Sequence, residues 1–384
     1  MTRVGASDQR PIVPPATIGM LGGGQLGRYA LMAARTMGYR TMVLEPDPGA
    51  PAGSIADVHL VAPYDDPEAL ARLGDDCDVV TTEFENPPAV ALEALARRTR
   101  VAPTARAVSI AQDRVAEKAF LVDAGVPVGP YAAIDADHPV ERAEIEYPAV
   151  LKTARLGYDG KGQRRVADGS EMRAAHTLLG GVPCVLEQLL PLEVEISVVV
   201  ARTATAGFAS YPPAENVHVD GILDVSVVPA RVSRRVADTA TGLALTIADA
   251  LDYVGVLAVE FFVVDGRLLV NELAPRPHNS GHWTLDVAQT SQFEQQIRAV
   301  CGLQLGDTTL TRGGAAMVNL LGDLWDAGEP DWAAALGEPS TALHLYGKAA
   351  PRPGRKMGHI TAWGASPGEA ETRALAARRL LAGS

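Results

Sequence analysis

Residues 17 to 103 alternate short apolar runs with helical segments, and this alternation constrains the fold more than any other feature of the chain. The apolar runs read "TIGML", "RTMVLE" and "CDVVTTEFEN", and the clearest helical segments read "LGRYALMAARTMG" and "PAVALEALARR". Strands joined by helices in this way pair in parallel, because each helix returns the chain to the same end of the sheet. We therefore predict an N-terminal Rossmann-like domain with a parallel sheet over residues 16–105.

The rest of the chain changes character, which predicts a multidomain fold of mixed α/β and α+β class. One long boundary helix is expected to start near residue 104, so that most of it lies in residues 106–201. Short strands around a second helix follow in this range, and we expect them to form a small lid domain. Residues 202–310 hold strands, a long helix and a hairpin, and residues 311–384 form a small C-terminal domain. Residues 1–15 carry three prolines and no apolar core of a signal peptide, so we expect a flexible extension without an export signal.

The charge balance and the cysteine content exclude several classes of protein. With 34 Lys and Arg against 46 Asp and Glu, the net charge is −12, which disfavours nucleic acid and anionic membranes as partners. No apolar run approaches the about 20 residues that span a bilayer. The three cysteines are widely separated and odd in number, so we expect buried thiols in a reducing compartment. The composition thus predicts a soluble cytoplasmic protein.

A first glycine loop, "IGMLGGGQLGR", follows the first apolar run and precedes a helix. Gly22, Gly24 and Gly27 have the G-x-G-x-x-G spacing of a dinucleotide site, and Glu45 ends the next apolar run about 20 residues later. Backbone N–H groups at a helix N-terminus also suit a phosphate without a nicotinamide. Taken alone, this loop favours an NAD-binding dehydrogenase.

A second glycine loop lies in "LKTARLGYDGKGQRRV", directly after a strand that ends near Lys152. Gly157, Gly160 and Gly162 let backbone N–H groups turn toward anionic oxygens, and Lys161 adds a positive charge. The loop fits phosphate binding, and an ordinary surface hairpin is an equally good interpretation of these letters alone.

The hairpin "LAVEFFVVDGRLLVNEL" gathers oxygen ligands at one end. A regular two-residue turn at Asp265–Gly266 would pair Glu260 with Asn271 and send Glu272 to the other face. A bulge or a three-residue turn would bring the two glutamates together, which suits Mg²⁺ because this ion prefers carboxylate oxygens. We predict one of these two forms, with Gly266 at positive φ; the alternative is an ordinary solvent-facing hairpin end.

Two polar loops follow in the C-terminal half. "NELAPRPHNSGHW" concentrates hydrogen-bonding side chains directly after the hairpin, and "GKAAPRPGRK" concentrates basic ones in a chain of negative net charge. Convergent donors of this kind predict a site for a small anionic ligand, although a solvated charged face would also explain the second loop.

In chain order, "GGGQLGR", "EFEN", "GYDGKGQ", "NELAPRPHNSGHW" and "RPGRKMGH" together resemble the N5-carboxyaminoimidazole ribonucleotide synthetase family of the ATP-grasp superfamily. The resemblance extends from about residue 16 to the C-terminus. It implies an ATP-grasp fold and an ATP-dependent carbon–nitrogen ligase of purine biosynthesis. The implied substrates are ATP, bicarbonate and 5-aminoimidazole ribonucleotide, with carboxyphosphate as intermediate. It also implies Mg²⁺, or Mn²⁺ in its place, and a homodimer.

The resemblance assigns roles to particular positions of this sequence. Glu260 and Glu272 would hold the metal. ATP would be bound by Arg114, Lys152, Gly157, Tyr158, Asp159, Gly160, Lys161, Gly162, Gln163, Glu187, Gln188, Leu189, Leu190, Glu195, His218, Asn271 and Glu272. The ribonucleotide and bicarbonate would be bound by Gly23, Gly24, Gln25, Leu26, Glu83, Tyr158, Lys161, Arg276, His278, Asn279, Ser280, Lys348, Arg355 and Lys356.

Among these residues we expect four to be catalytic. Lys152 would support phosphoryl transfer, Arg276 would stabilise the anionic intermediate, and either Asp159 or His278 would accept the proton of the amine. Glu83 and Glu85 lie on one strand face, and the sequence does not decide which of them meets the substrate. His282 and His359 are expected to be structural.

Three other functions remain open from the sequence. A formate-using glycinamide ribonucleotide transformylase shares the ATP-grasp pattern, an NAD oxidoreductase explains only the first glycine loop and Glu45, and a nucleotide sensor would need none of the reactive lysines and carboxylates.

Overall fold

The computed structural model describes residues 10–138, 145–157 and 162–381. Its N-terminal part has five strands, β1 (Thr17–Leu21), β2 (Arg40–Leu44), β3 (Val58–Leu60), β4 (Val79–Thr82) and β5 (Arg100–Val101). They form a parallel sheet in the order β3-β2-β1-β4-β5. Helices α1 (Gln25–Thr36), α2 (Pro67–Asp76) and α3 (Ala89–Ala96) connect them. The predicted Rossmann-like sheet is confirmed, and its central strands β1 and β4 are completely buried, as parallel strands covered on both faces are.

The N-terminal extension differs from the expectation over the part that is described. The amide of Ile12 donates to the carbonyl of Cys301 at 2.8 Å, and the hydroxyl of Tyr39 donates to the carbonyl of Ile12 at 2.7 Å. Residues 10–15 are therefore held against the domain, and their three prolines restrict the backbone to few conformations. The expectation of a flexible segment was wrong for these residues; residues 1–9 lie outside the described part.

The predicted boundary helix is two helices, α4 (Ala105–Ala111) and α5 (Arg114–Asp123). The carboxylate of Asp113 accepts hydrogen bonds from the amides of Val115 and Ala116 and so caps a new helix. Such a cap competes with helix continuation, which explains why one continuous helix was the wrong expectation.

A lid sheet of four antiparallel strands follows, in the order β6-β9-β7-β8. Its elements are β6 (Tyr131–Ile134), β7 (Ala149–Thr153), β8 (Gln163–Val166), α6 (Gly169–Leu178) and β9 (Cys184–Gln188). Helix α6 buries Met172 and Ala175 against the sheet.

The remaining strands form one large sheet of nine strands. They are β10 (Val194–Arg202), β11 (Phe208–Ser210), β12 (Ala214–Val219), β13 (Ile222–Val228), β14 (Gly255–Val264), β15 (Arg267–Ala274), β16 (Gly314–Leu321), β17 (Thr341–Leu345) and β18 (Lys356–Gly364). The order is β15-β14-β10-β12-β13-β16-β18-β17, with β11 paired to β10. Helices α7 (Arg234–Ala250), α8 (Thr284–Val287), α9 (Gln292–Val300), α10 (Trp332–Ala335) and α11 (Pro367–Leu381) complete the chain, and α9 packs against both α1 and β14.

This sheet changes two features of the predicted domain organisation. Strand β10, which we placed in the lid, pairs with β14 along its whole length and belongs to the large sheet. Strand β16 pairs with β13, so the C-terminal segment continues the large sheet and does not form a separate core. Strand pairing over such distances leaves no local signal in a sequence; the other domain boundaries stay predictions.

Among the described residues, no helix is both long enough and apolar enough to cross a membrane. The three cysteines are buried free thiols, and burial raises the pKa of each of them, as the sequence predicted for inert side chains.

Candidate active site

Two glutamates meet on the hairpin of β14 and β15. The two-residue turn Asp265–Gly266 has φ angles of 49° and 66°, both left-handed, as a type I′ turn requires. The register shifts after Glu260, so that Glu260 pairs with Glu272 and Asn271 is the extra residue of a bulge. The predicted bulge and the positive φ of Gly266 are confirmed, and both carboxylates lie on one face.

Arg114 holds one of these carboxylates from the start of α5. Its Nη1 atom donates to Oε2 of Glu272 at 2.7 Å. Removal from water alone would raise the pKa of Glu272. The positive charges of Arg114, and then of Lys152 and Lys118, lower it by a larger amount, so the net shift is downward. Glu272 is therefore ionised at neutral pH and available to a cation.

Glu260 has the opposite electrostatic character. Its burial, and then the negative charge of Glu272, raise its pKa. Nε2 of His278 lies 3.3 Å from Oε1 of Glu260. Burial, and then the charge of Arg276, lower the pKa of His278 well below its usual range, so this imidazole is neutral. The two glutamates thus differ in proton affinity, as adjacent carboxylates do when no cation lies between them.

His218 and Glu195 lie beside the hairpin on β12 and β10. Nδ1 of His218 is 2.7 Å from Oε2 of Glu195. Burial alone would lower the pKa of His218, but Glu195 and Glu260 raise it, so the net shift is upward. These two residues, predicted to contact ATP, are brought to the same face of the sheet as Glu260.

A second cluster of charges lies where the lid meets the hairpin. Nζ of Lys152 donates to Oε2 of Glu187 at 2.5 Å, and Nζ of Lys118 lies 3.2 Å from Oε1 of the same carboxylate. Burial would raise the pKa of Glu187, yet the two lysines lower it to about 2. Lys152 is thus held in place by Glu187, within the same charged cluster as Arg114.

The second glycine loop connects β7 and β8 of the lid. Gln163 pairs with Lys152, and Gly162 has φ of 73° with its carbonyl accepting from the amide of Thr153 at 2.8 Å. Gly157 lines a small polar cavity together with Arg114 and Glu272. One end of the loop therefore faces the hairpin. The predicted site residues Tyr158, Asp159, Gly160 and Lys161 lie outside the described residues.

The segment after Glu187 connects the lid to β10. The amides of Gln188 and Leu189 donate to the carbonyls of Pro130 and Pro148, at 3.1 and 2.9 Å. These bonds fix the connection, and Leu190, which follows it, is half-buried. Any contact of this segment with a nucleotide stays a prediction.

The first glycine loop is held by two carboxylates of the protein itself. Oε2 of Glu45 accepts from the amide of Gly23 at 2.7 Å, and Glu83 accepts from the amides of Gly24 and Gly27 at 3.0 and 3.1 Å. Burial raises the pKa of Glu83, although the two amides oppose this. We expected the loop amides to hold a phosphate, and in this structure these three donate to side chains that follow β2 and β4. Glu45 binds the loop, which removes the basis of the NAD interpretation.

The structure separates the roles of the two glutamates in "EFEN". Glu83 contacts the glycine loop, whereas Glu85 forms an ion pair with Nη2 of Arg276. Nη1 of Arg276 also donates to the carbonyl of Pro277 at 2.9 Å. Arg276 is therefore oriented from the N-terminal domain, close to the hairpin.

The C-terminal basic loop meets the start of α1. Nζ of Lys348 donates to Oε1 of Gln25 at 2.7 Å and to the carbonyl of Lys356 at 2.6 Å, and Arg355 donates to the carbonyl of Ala350 at 2.8 Å. Lys348 thus joins Gln25 to the backbone at Lys356, while Arg355 is bonded within its own loop, and the binding of substrate by these four residues stays a prediction. Leu26 packs into the core, so its side chain does not line this group.

Asn279 and Ser280 lie in a buried 3₁₀ turn after the hairpin. Nδ2 of Asn319 donates to Oδ1 of Asn279 at 2.6 Å, and Oγ of Ser280 lies 2.8 Å from Nδ1 of His278. Both side chains have protein partners, and their predicted contact with substrate is untested. His282 and His359 are completely buried, in agreement with a structural role.

Sequence reasoning missed two residues of α5. The amide of Leu273 donates to Oε1 of Glu117 at 2.5 Å, and Nζ of Lys118 donates to the carbonyl of Asn271 at 2.8 Å. These bonds bracket Glu272 on the outer edge of β15. The spacing of Lys118 four residues after Arg114 was the available signal, because it places both on one helix face.

Asp286, His344 and His359 also come together among the described residues. His344 already bonds both oxygens of Asp286, at 3.0 and 3.1 Å, and its ring stacks on that of His359 with 12° between the planes. The nitrogen lone pairs of stacked rings run parallel and do not converge on one ion, so we assign this cluster to packing.

Comparison with known proteins supports this geometry. The ATP-grasp domain family matches residues 119–293, the ribonucleotide synthetase preATP-grasp domain residues 15–112, and the phosphoribosylaminoimidazole carboxylase C-terminal domain residues 315–373. The fold and the site therefore define an ATP-grasp enzyme, an ATP-dependent ligase. The chain belongs to the N5-carboxyaminoimidazole ribonucleotide synthase family, as the following relatives show.

The synthase of Brucella melitensis is 47% identical over 359 residues, which cover 92% of this chain and 98% of the relative. The synthase of Bacillus subtilis is 46% identical, over 91% of this chain and 92% of the relative. A solved ADP complex of an N5-carboxyaminoimidazole ribonucleotide synthetase matches with a TM-score of 0.90 at 40% identity. The match covers 96% of this chain and 98% of that one. A synthase from Aspergillus clavatus, in complex with ADP and 5-aminoimidazole ribonucleotide, matches with a TM-score of 0.83 at 30% identity. The match covers 95% of this chain and 98% of that one.

Proposed function

We propose that this chain carboxylates 5-aminoimidazole ribonucleotide in purine biosynthesis, with ATP and bicarbonate as co-substrates. ATP phosphorylates bicarbonate to carboxyphosphate, releasing ADP, and the exocyclic amine of the ribonucleotide then takes the carboxyl group, releasing phosphate. The observation that carries this proposal is the convergence of Glu260 and Glu272 on one face of a hairpin, opposite Arg114.

The site fits Mg²⁺ by the chemistry of its donors. Two carboxylates lie side by side, and the negative charge of one raises the pKa of the other, a repulsion that a divalent cation would relieve. We assign Glu260 and Glu272 as the metal ligands, with Asn271 beside them. A bound Mg²⁺ would neutralise the phosphate charge during phosphoryl transfer.

On the nucleotide side, the protein residues bind and orient. Arg114 and Lys152 are cations held in place by Glu272 and Glu187 and would contact the phosphates. The loop 157–163 would cover them and exclude water, which a carboxyphosphate intermediate requires because it hydrolyses readily. Glu187 to Leu190, Glu195 and His218 would contact the nucleoside.

On the ribonucleotide side, positive charge comes from two directions. Lys348, Arg355 and Lys356 lie with Gln25 and would bind the 5′-phosphate. Arg276, oriented by Glu85, would stabilise the anionic intermediate between this group and the hairpin. We further propose that the enzyme is cytoplasmic, is a homodimer and has no nucleic-acid or membrane partner.

The test is ADP release in bicarbonate buffer with and without 5-aminoimidazole ribonucleotide. We expect release to depend on the ribonucleotide and to vanish in Lys152→Ala, with ribonucleotide binding retained. Release with formate and glycinamide ribonucleotide instead would identify the transformylase activity.

Arg355→Ala combined with Lys356→Ala should raise KM for the ribonucleotide more than for ATP, with Arg352→Ala, an exposed neighbour, as control. Equal effects on both substrates would contradict the assignment.

A further inference from the structure

A chain of buried polar side chains crosses the large sheet and ends on His278. Oγ of Ser226 on β13 donates to Oδ1 of Asn216 on β12 at 2.8 Å, and Nδ2 of Asn216 donates to Oγ of Ser197 on β10 at 2.9 Å. Oγ of Ser197 lies 2.7 Å from Oγ of Ser280, which lies 2.8 Å from Nδ1 of His278. The first four residues are at most 5% exposed, so their polar atoms need partners within the protein.

The amide of Asn216 fixes the direction of the hydrogen bonds that follow it in this chain. An amide nitrogen only donates, so Ser197 accepts from Asn216 and its own hydroxyl hydrogen goes to Ser280. The hydroxyl hydrogen of Ser280 then goes to Nδ1 of His278. The orientation of the Asn216 amide is itself assigned from the network, because the hydroxyl of Ser226 finds its acceptor in Oδ1.

A second contact leads independently to the same conclusion. The backbone amide of Ser280 also points at Nδ1 of His278, at 3.3 Å. A hydrogen on Nδ1 would point at this N–H group, so two donors would face each other. It would also require every hydroxyl of the chain to donate in the opposite direction. Nδ1 is therefore an acceptor, and the ring hydrogen lies on Nε2.

We propose that Ser197 and Asn216 are positioning residues, which hold His278 in the Nε2–H tautomer, so that the ring nitrogen nearer Glu260 carries the hydrogen. Nε2 lies 3.3 Å from Oε1 of Glu260. An N–H donor at this position would orient the carboxylate when the metal is bound. The consequence for catalysis rests on the proposed function: His278 is not the group that accepts the proton of the ribonucleotide amine.

The tautomer can be measured on the whole protein without substrates. Long-range ¹H–¹⁵N spectra distinguish protonated from unprotonated ring nitrogens, and His278→Gln assigns the signals. We expect a protonated Nε2 and an unprotonated Nδ1. The opposite pattern, or averaging between the two tautomers, overturns the proposal. Since no turnover is needed, this failure is distinct from failure of the ADP-release test.

Two variants test whether the chain controls the tautomer. In Asn216→Asp an ionised carboxylate only accepts, so the hydroxyls reverse and we expect the hydrogen on Nδ1. Ser197→Ala interrupts the chain, and we expect mixed tautomers with kcat about tenfold lower and KM for ATP changed less than about twofold. Gln295→Glu is the control, because it makes the same amide-to-carboxylate change at a buried residue outside the chain, where the side chain bonds the backbone of Gly306. An unaltered tautomer in both test variants overturns the proposal; if neither folds, the wild-type spectrum decides.

Discussion

Glu260 lies directly across the hairpin from Glu272, and the second of these carboxylates also binds Arg114. Through Arg114 the pair joins helix α5 to two strands of the large sheet. Both side chains depend on one extra residue, Asn271, because without the bulge they would lie on opposite faces.

Glu260→Gln and Glu272→Gln should each weaken ADP binding in the presence of Mg²⁺ by about tenfold or more, because each removes a carboxylate from the cation. ADP binding without Mg²⁺ should change little. Isothermal titration calorimetry with and without Mg²⁺ measures the ratio of the ADP dissociation constants of variant and wild type. Glu193→Gln is the matched control, since Glu193 accepts from the amide of Gly266 at the other end of the hairpin. A loss that is equal with and without Mg²⁺ would contradict metal binding by these residues.

Lys118→Met should lower the free energy of unfolding by about 3 kcal/mol, because it leaves the buried Glu187 without one of its two cations. The carbonyl of Asn271 also loses its donor. Urea denaturation measures the change. Arg234→Met, at a side chain that is 93% exposed, should stay within about 0.5 kcal/mol of wild type. A comparable loss in both variants would show that burial of the ion pair is not the cause.

Glu117→Gln should become more stable relative to wild type as pH rises from 5 to 8. Burial raises the pKa of Glu117 to about 8, so the folded state keeps a proton that the unfolded state loses above its ordinary value. The wild type therefore loses about 1.4 kcal/mol per pH unit in this range, and the variant does not. Thermal unfolding across pH measures the difference, with the exposed Glu93→Gln as control. A difference independent of pH would mean that Glu117 is ionised when folded.

His359→Gln should be less stable than wild type at pH 7, and this deficit should shrink as pH falls to 5. Burial, then His282 and His344, lower the pKa of His359 well below its usual range. Below about pH 6.5 only the unfolded state takes the proton, so the wild type loses up to about 1.4 kcal/mol per pH unit while the variant does not. The exposed His138→Gln should show no such trend. A constant deficit would indicate that the folded protein takes up a proton on His359 as readily as the unfolded chain does.

The hairpin shows what a sequence can predict about a site. Two glutamates and an asparagine near an Asp-Gly turn allow only a few registers, and the requirement that both carboxylates meet leaves a bulge or a three-residue turn. The structure has the bulge. The parallel N-terminal sheet was predictable for a similar reason, since helices follow β1, β3 and β4, and only β2 and β3 are joined without one.

Contacts between distant segments were beyond the sequence. The amides of the first glycine loop are taken by Glu45 and Glu83, which follow other strands, and the chain from Ser226 to His278 joins three strands and a turn. The break at Asp113 was missed because its neighbours favour a continuous helix and a cap is decided by a single side chain.

Strand β13 is paired with β12 on one side and with β16 on the other. Cutting the polypeptide before Gly314 would uncover a row of backbone donors and acceptors on β13, together with the apolar surface that α11 covers. Uncovered strand edges recruit other chains. The segment from Gly314 to α11 therefore shares one sheet and one core with the rest of the chain, and we expect a product cut before Gly314 to self-associate through the uncovered edge.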